Sequence, residues 1–137
     1  MTIKELSQLH YLNREIEADK MHLAELETAA SSVTPKITGL PHIAGISDKT
    51  GLAAEIADLR TIIESKLKLT IATYNRIHRF AASLDDSLVR QAITLKYANC
   101  LPWHQVARSI GRDPRTGKHL SGDALRMRVE RYLQNKF

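Results

Sequence analysis

Apolar residues recur every three or four positions over two long stretches of this chain and again over two short stretches near its end. In residues 2–30, Leu9, Leu12, Ile16, Leu23, Leu26 and Ala30 fall on one line, which Asp19 interrupts. Side chains three and four apart share a helix face. The spacing therefore predicts an amphipathic helix with a narrow apolar seam, about 40 Å long. Glu15, Glu17, Lys20, Glu25 and Glu27 fill its outer face. Asp19 has two readings: a polar seam residue that sets register, or a solvated position where the seam drifts. The second is the simpler. Residues 31–51 break the pattern with Pro35, Gly39, Pro41, Gly45 and Gly51, and predict a long loop. Ile37, Leu40, Ile43 and Ile46 lie inside it, so part of it is expected to pack on a neighbour.

Residues 52–82 carry a second stripe: Leu52, Ile56, Leu59, Ile63, Leu67, Thr70, Tyr74, Ile77 and Ala81, with one slip near Leu67. Two long helices with matching seams predict a hairpin within one chain, a coiled coil between chains, or both. Narrow seams cover little surface. That favours self-association, as a homodimer or higher oligomer, over two core helices of a small bundle.

The remainder predicts a compact three-helix unit. Ser83, Asp85 or Asp86 can cap a helix whose inward residues are Leu88, Ala92, Ile93 and Leu95. Asn99-Cys100-Leu101-Pro102 stops it, and Pro102 opens the next helix, where a missing N–H is harmless. Trp103, Val106, Ala107 and Ile110 are the apolar face of that short helix, and Gly111 ends it as a positive-φ cap. A basic loop follows to Leu120. Ser121 caps the final helix, with Asp123 in its first turn and Leu125, Val129, Tyr132 and Leu133 on one face. The fold class is thus all-α, divided into a helical region at 1–82 and a helix-turn-helix domain at 83–137.

Charge sharpens this picture. Residues 1–83 hold ten Lys/Arg and ten Asp/Glu, which cancel. Residues 84–137 hold ten Lys/Arg against five acids, the whole net charge of +5. One-signed charge confined to one small helical unit is the footprint of a phosphate-backbone binder. A short helix, a glycine, a connection and a Ser-capped helix with exposed arginines is the arrangement of a helix-turn-helix. On that arrangement Ser121, Asp123, Ala124, Arg126, Met127 and Arg128 reach base edges in a major groove. Arg112, Arg115, Lys118 and Arg131 contact phosphate. The competing reading of those arginines is a solvated helix face. The coincidence of charge, caps and apolar spacing in one segment favours DNA.

The same residues carry a resemblance. Leu95-Lys96-Tyr97, Trp103-His104-Gln105-Val106-Ala107, Ile110-Gly111 and the run from Ala124 to Leu133 are similar to the C-terminal helix-turn-helix of sigma factors. The chain most resembles short phage and prophage sigma-like proteins, the RinA/ArpU late-gene transcriptional regulators and their relatives. Gly39-Leu40-Pro41, Gly45-Ile46-Ser47-Asp48-Lys49 and Ile56-Ala57-Asp58-Leu59 resemble the joint and following helix of those relatives. The resemblance implies double-stranded DNA binding and transcriptional regulation in a bacterial cytoplasm. It adds host RNA polymerase to the candidate partners. Two features depart from it. Pro102 stands where such domains cap with Ser or Thr, and the turn from Gly111 to Leu120 has ten residues in place of about four. The long turn either adds backbone or minor-groove contacts or displaces the last helix from the groove.

Other chemistry is thinly represented. Six histidines and Cys100 are scattered without metal-ligand spacing, so neither zinc nor another cofactor is expected. His78 and Arg79 read as helix surface, and His104 as a surface histidine near a candidate phosphate. Gly117-Lys118 lacks the upstream glycine of a phosphate loop. Ser121, His119 and Asp123 have no nucleophile elbow or oxyanion frame, so an enzyme is not expected. With no run of 18 apolar residues, no membrane span is expected either. A single cysteine fits a reducing compartment. Two further readings compete with a regulator: a small-terminase-like DNA packaging recogniser, and a coiled-coil adaptor whose C-terminal domain binds protein.

Overall fold

The computed structural model describes the backbone of residues 1–32 and 43–137, and side chains for 1–31 and 51–137. The described residues are mostly helical and contain no strand; Arg112 and His119 form one isolated antiparallel bridge. The helices are α1 (Ile3–Leu6), α2 (Gln8–Ser32), α3 (Ile43–Ala82), α4 (Ser87–Ile93), α5 (Trp103–Ile110) and α6 (Gly122–Lys136). A π-helical turn, Thr94–Ala98, continues α4. Contacts divide the chain into two compact units: Met1–Tyr11 with Thr70–Phe137, and Leu12–Leu69.

Local chemistry explains the helix ends. Thr2 opens α1 with a reciprocal cap, its Oγ1 accepting from the Glu5 N–H at 3.2 Å while Glu5 Oε2 accepts from the Thr2 N–H at 2.7 Å. The second of these bonds, to the Thr2 backbone, does most to hold the Glu5 carboxyl below its ordinary range. Of the three candidate caps before α4, Asp86 is the one used; its Oδ1 accepts from the Leu88 and Val89 N–H groups. Pro102 sits one position before α5, and its carbonyl accepts from the Gln105 and Val106 N–H groups at 3.0 and 3.1 Å. Gly111 ends α5 at φ 88°, as its position predicted.

One expectation is corrected. The loop read over residues 31–51 is shorter than its composition suggested, because α3 already begins at Ile43 and runs through Gly45 and Gly51. The last proline of the segment is Pro41, and glycine weakens a helix by about 1 kcal/mol without forbidding it. Ile37 and Leu40, and the side chains of Ile43 and Ile46, lie outside the described residues.

In the unit Leu12–Leu69, α2 and α3 are joined by ion pairs that run in reverse order: Glu15 and Asp19 with Lys66, Glu27 with Arg60. The two stretches are therefore antiparallel within the chain, with Ile16 and Ile63 buried. Asp19 is not a solvated drift of the seam. Its carboxylate is 24% exposed and lies 2.6 Å from Lys66 Nζ, and this bond is the main reason the ammonium is held above its ordinary range.

The other unit is built on the faces that α4, α5 and α6 turn towards one another. Val89, Ala92, Ile93, Val106, Ala107, Leu125 and Val129 are all essentially inaccessible. Leu6 and Leu9 from the N-terminus and Ile77, Ala81 and Leu84 complete the same core. The core thus draws on residues on both sides of the 82/83 division read from the sequence.

Candidate nucleic-acid interface

Everything that shapes the candidate site lies within the unit formed by Met1–Tyr11 and Thr70–Phe137. α5 and α6 cross closely because two small residues stand at the crossing. Ala107 is buried. A Cβ added to Gly122 would come within 3.0 Å of the His104 nitrogen and 3.1 Å of the Trp103 carbonyl carbon. The first turn of α6 therefore rests on the backbone of the first turn of α5. Ser121 caps α6, its Oγ accepting from the Ala124 N–H at 3.2 Å.

With Leu125, Val129 and Leu133 inside, the opposite face of α6 is open. Asp123, Ala124, Met127, Arg131 and Gln134 are exposed there, Met127 by 52%. Arg126 is exposed on the flank, with Glu130 3.7 Å away one turn on. Arg128 differs from the other arginines. Its guanidinium is 24% exposed and lies between Asp86, at 3.7 Å, and Asp113, at 3.5 Å. The cap of α4, the loop before α6 and α6 itself are tied at this one side chain.

The ten-residue turn is folded. The Leu120 N–H donates to the Gly111 carbonyl at 3.1 Å, closing its base. Further out, the Asp113 N–H donates to the Lys118 carbonyl at 2.9 Å, Gly117 N–H donates to the Asp113 carbonyl at 2.8 Å, and Arg112 bridges His119. Gly117 turns the chain at φ 68°, a conformation that costs glycine little. Asp113 also accepts the Arg115 N–H at 2.9 Å through its side chain. The segment is thus a short antiparallel ribbon set between two helices that still pack on each other, and Arg112, Arg115, Lys118 and His119 are exposed on it.

A groove of about 540 Å³ brings Arg115, Ala124, Met127, Arg128 and Arg131 together, with Asp86 and Asp113 in its wall. Both acids face Arg128. Among the described residues, neither Arg115 nor Arg131 is within ion-pair reach of a carboxylate. Ser121 lines a separate depression of about 430 Å³, with His104, Arg108, His119 and Gly122. Arg112, Lys118, Asp123 and Arg126 lie outside both.

Asp113 and Asp86 hold Arg128; the sequence marked Asp86 only as a candidate helix cap, and neither as a site residue. For Asp113 a signal exists: Asp113-Pro114 with Gly117 following is turn chemistry, in which an aspartate binds the backbone two residues on. Among the described residues there is no group of three or more His, Cys, Asp or Glu placed to hold a metal ion, and no helix is long and apolar enough to cross a membrane. No protein-family model, no curated protein and no solved structure matches the chain.

Proposed function

We propose that this protein is a DNA-binding transcriptional regulator encoded by a phage or mobile element and acting in the bacterial cytoplasm. On this reading a helical hairpin precedes a sigma-like helix-turn-helix whose α6 enters a major groove. The observation that carries it is the outer face of α6, with Ala124, Met127 and Arg131 exposed. It lies in the part of the chain that holds all the surplus positive charge. A helix held by its inner face and open along its outer one, in a field of positive charge, suits a polyanion with a groove of helix width.

The roles divide by exposure. Arg126, Met127 and Ala124, with Ser121 and Asp123 at the helix start, are the base-reading candidates. Arg112, Arg115, Lys118 and Arg131 are the phosphate contacts. Arg128, held by two carboxylates, is a positioning residue on this reading and not a base reader. The test is to select preferred duplexes from a random library with the purified protein, then compare variants on selected and scrambled DNA. Arg126→Ala and Met127→Ala should narrow the gap between the two duplexes, by roughly tenfold for a good groove contact. Lys118→Ala and Arg131→Ala should weaken both equally and lower the salt slope by about one each. Equal effects from both classes on both duplexes contradict the assignment.

A further inference from the structure

We propose that the ribbon at residues 112–119 is a minor-groove reader, with Arg115 as the side chain that enters. The inference rests on the DNA-binding reading above, moves Arg115 from a phosphate contact to a groove contact, and gives that reading a second point of contact.

Three observations carry it. The ribbon is closed by main-chain bonds at its base and again nearer its tip, so its end is a built element of fixed direction. Its tip is thin: Pro114, Thr116 and Gly117 surround Arg115, the one long side chain there. Its charge is sorted. Asp113, the ribbon's single acid, is 19% exposed and faces Arg128, while Arg115 is exposed without a carboxylate in reach among the described residues.

The Asp113 carboxylate also accepts the Arg115 backbone N–H, so one residue holds both the ribbon to α6 and Arg115 to the ribbon. Arg115 consequently lines the same groove as Ala124, Met127 and Arg131 of α6. A helix seated in the major groove leaves the adjacent minor groove as the next surface within reach. That groove is about 6 Å wide, too narrow for a helix but open to a single extended arginine. Its negative potential is deepest where A·T pairs make it narrow. Guanine places an amino group in the same groove, which obstructs such a side chain.

Three duplexes of equal length test this, made of alternating A·T, I·C or G·C pairs. An I·C pair presents the major groove of G·C but, lacking the guanine amino group, the minor groove of A·T. Binding is measured by fluorescence anisotropy with the full chain. Wild type should hold the A·T and I·C duplexes alike and the G·C duplex roughly tenfold more weakly, the size of one good groove contact. Arg115→Ala, an exposed change that leaves the Asp113 bond to the backbone in place, should bring all three together, with its thermal midpoint unchanged. Salt-sensitive binding of wild type that is equal on the three duplexes overturns the ribbon's role and leaves the DNA reading standing. So does I·C grouping with G·C, since that reports a major-groove preference. Discrimination that survives in Arg115→Ala assigns it to another residue and overturns the proposal. No salt-dependent binding to any duplex overturns the DNA reading and this inference together.

Discussion

A guanidinium set between two carboxylates has its charge answered within the protein, and Arg128 shows why a count of arginines misleads. Its partners, Asp86 and Asp113, lie 3.7 and 3.5 Å away. They stand far up the sequence, so no pattern of spacing along α6 could announce them. The caps were readable for the opposite reason: Ser121, Asp86 and Gly111 act on backbone within a few residues of themselves. His78 is a second residue whose surroundings the pattern missed. It read as helix surface, yet its Nε2 is buried without a hydrogen-bond partner among the described residues and its ring lies 4.5 Å from that of Tyr74. Tyr97 makes the residue scale measurable. Burial, with the Glu130 carboxylate adding to it, pushes its hydroxyl up to about 12. The native state keeps that proton over a range in which the unfolded chain has lost it. Stability should therefore fall as pH rises from about 10 and level off beyond about 12, by about 2–3 kcal/mol. Tyr97→Phe should keep most of its stability at pH 7 and lack this alkaline fall in urea unfolding. The same fall in the variant would place its cause elsewhere.

The seams show what hydrophobic periodicity can and cannot reveal in helices. The stripe in α2 is where the pattern put it, but the one in α3 does not slip near Leu67. It continues from Ile63 through Lys66, Thr70 and Thr73 to Ile77, while Leu67 and Tyr74 are 40% and 38% exposed. A reading of apolar residues alone steps over polar seam positions and takes the nearest leucine or tyrosine. The same three-four repeat also serves a hairpin and an intermolecular coiled coil equally well. It is the reversed order of the ion pairs that makes α2 and α3 antiparallel partners within the chain. A charged pair in a seam adds register at some cost in stability. Asp19→Leu alone should be destabilising, since it takes from the half-buried Lys66 ammonium its 2.6 Å ion pair. The double variant Asp19→Leu/Lys66→Leu should melt at or above the wild-type temperature and elute partly as larger species. A double variant that melts lower than Asp19→Leu, or is strictly monomeric, would show that the pair does not set register. The ribbon was the least legible element. Its bridge joins Arg112 to His119 with no alternation of apolar residues to mark it.

At the scale of the molecule, charge and compactness coincide. The unit formed by Met1–Tyr11 and Thr70–Phe137 holds thirteen Lys and Arg against six Asp and Glu, whereas Leu12–Leu69 holds seven against nine. All-helical class and the position of the basic unit were readable from composition and spacing. The contribution of the N-terminal residues Leu6 and Leu9 to its core was not, because Leu9 opens a stripe that reads as one unbroken helix and Leu6 stands outside that stripe. The central claim, that this unit holds duplex DNA through α6 and the basic residues beside it, is tested most directly by a salt series. The purified full chain is titrated onto fragments of the DNA flanking its own coding sequence and onto random duplexes of equal length. The account predicts that affinity for every duplex falls linearly on a log–log plot, with a slope of about −3 to −4 for the four cations Arg112, Arg115, Lys118 and Arg131 brought to the duplex. One fragment should stay bound at salt that releases random DNA. Affinity that does not change with salt, or no binding to any fragment, would contradict it.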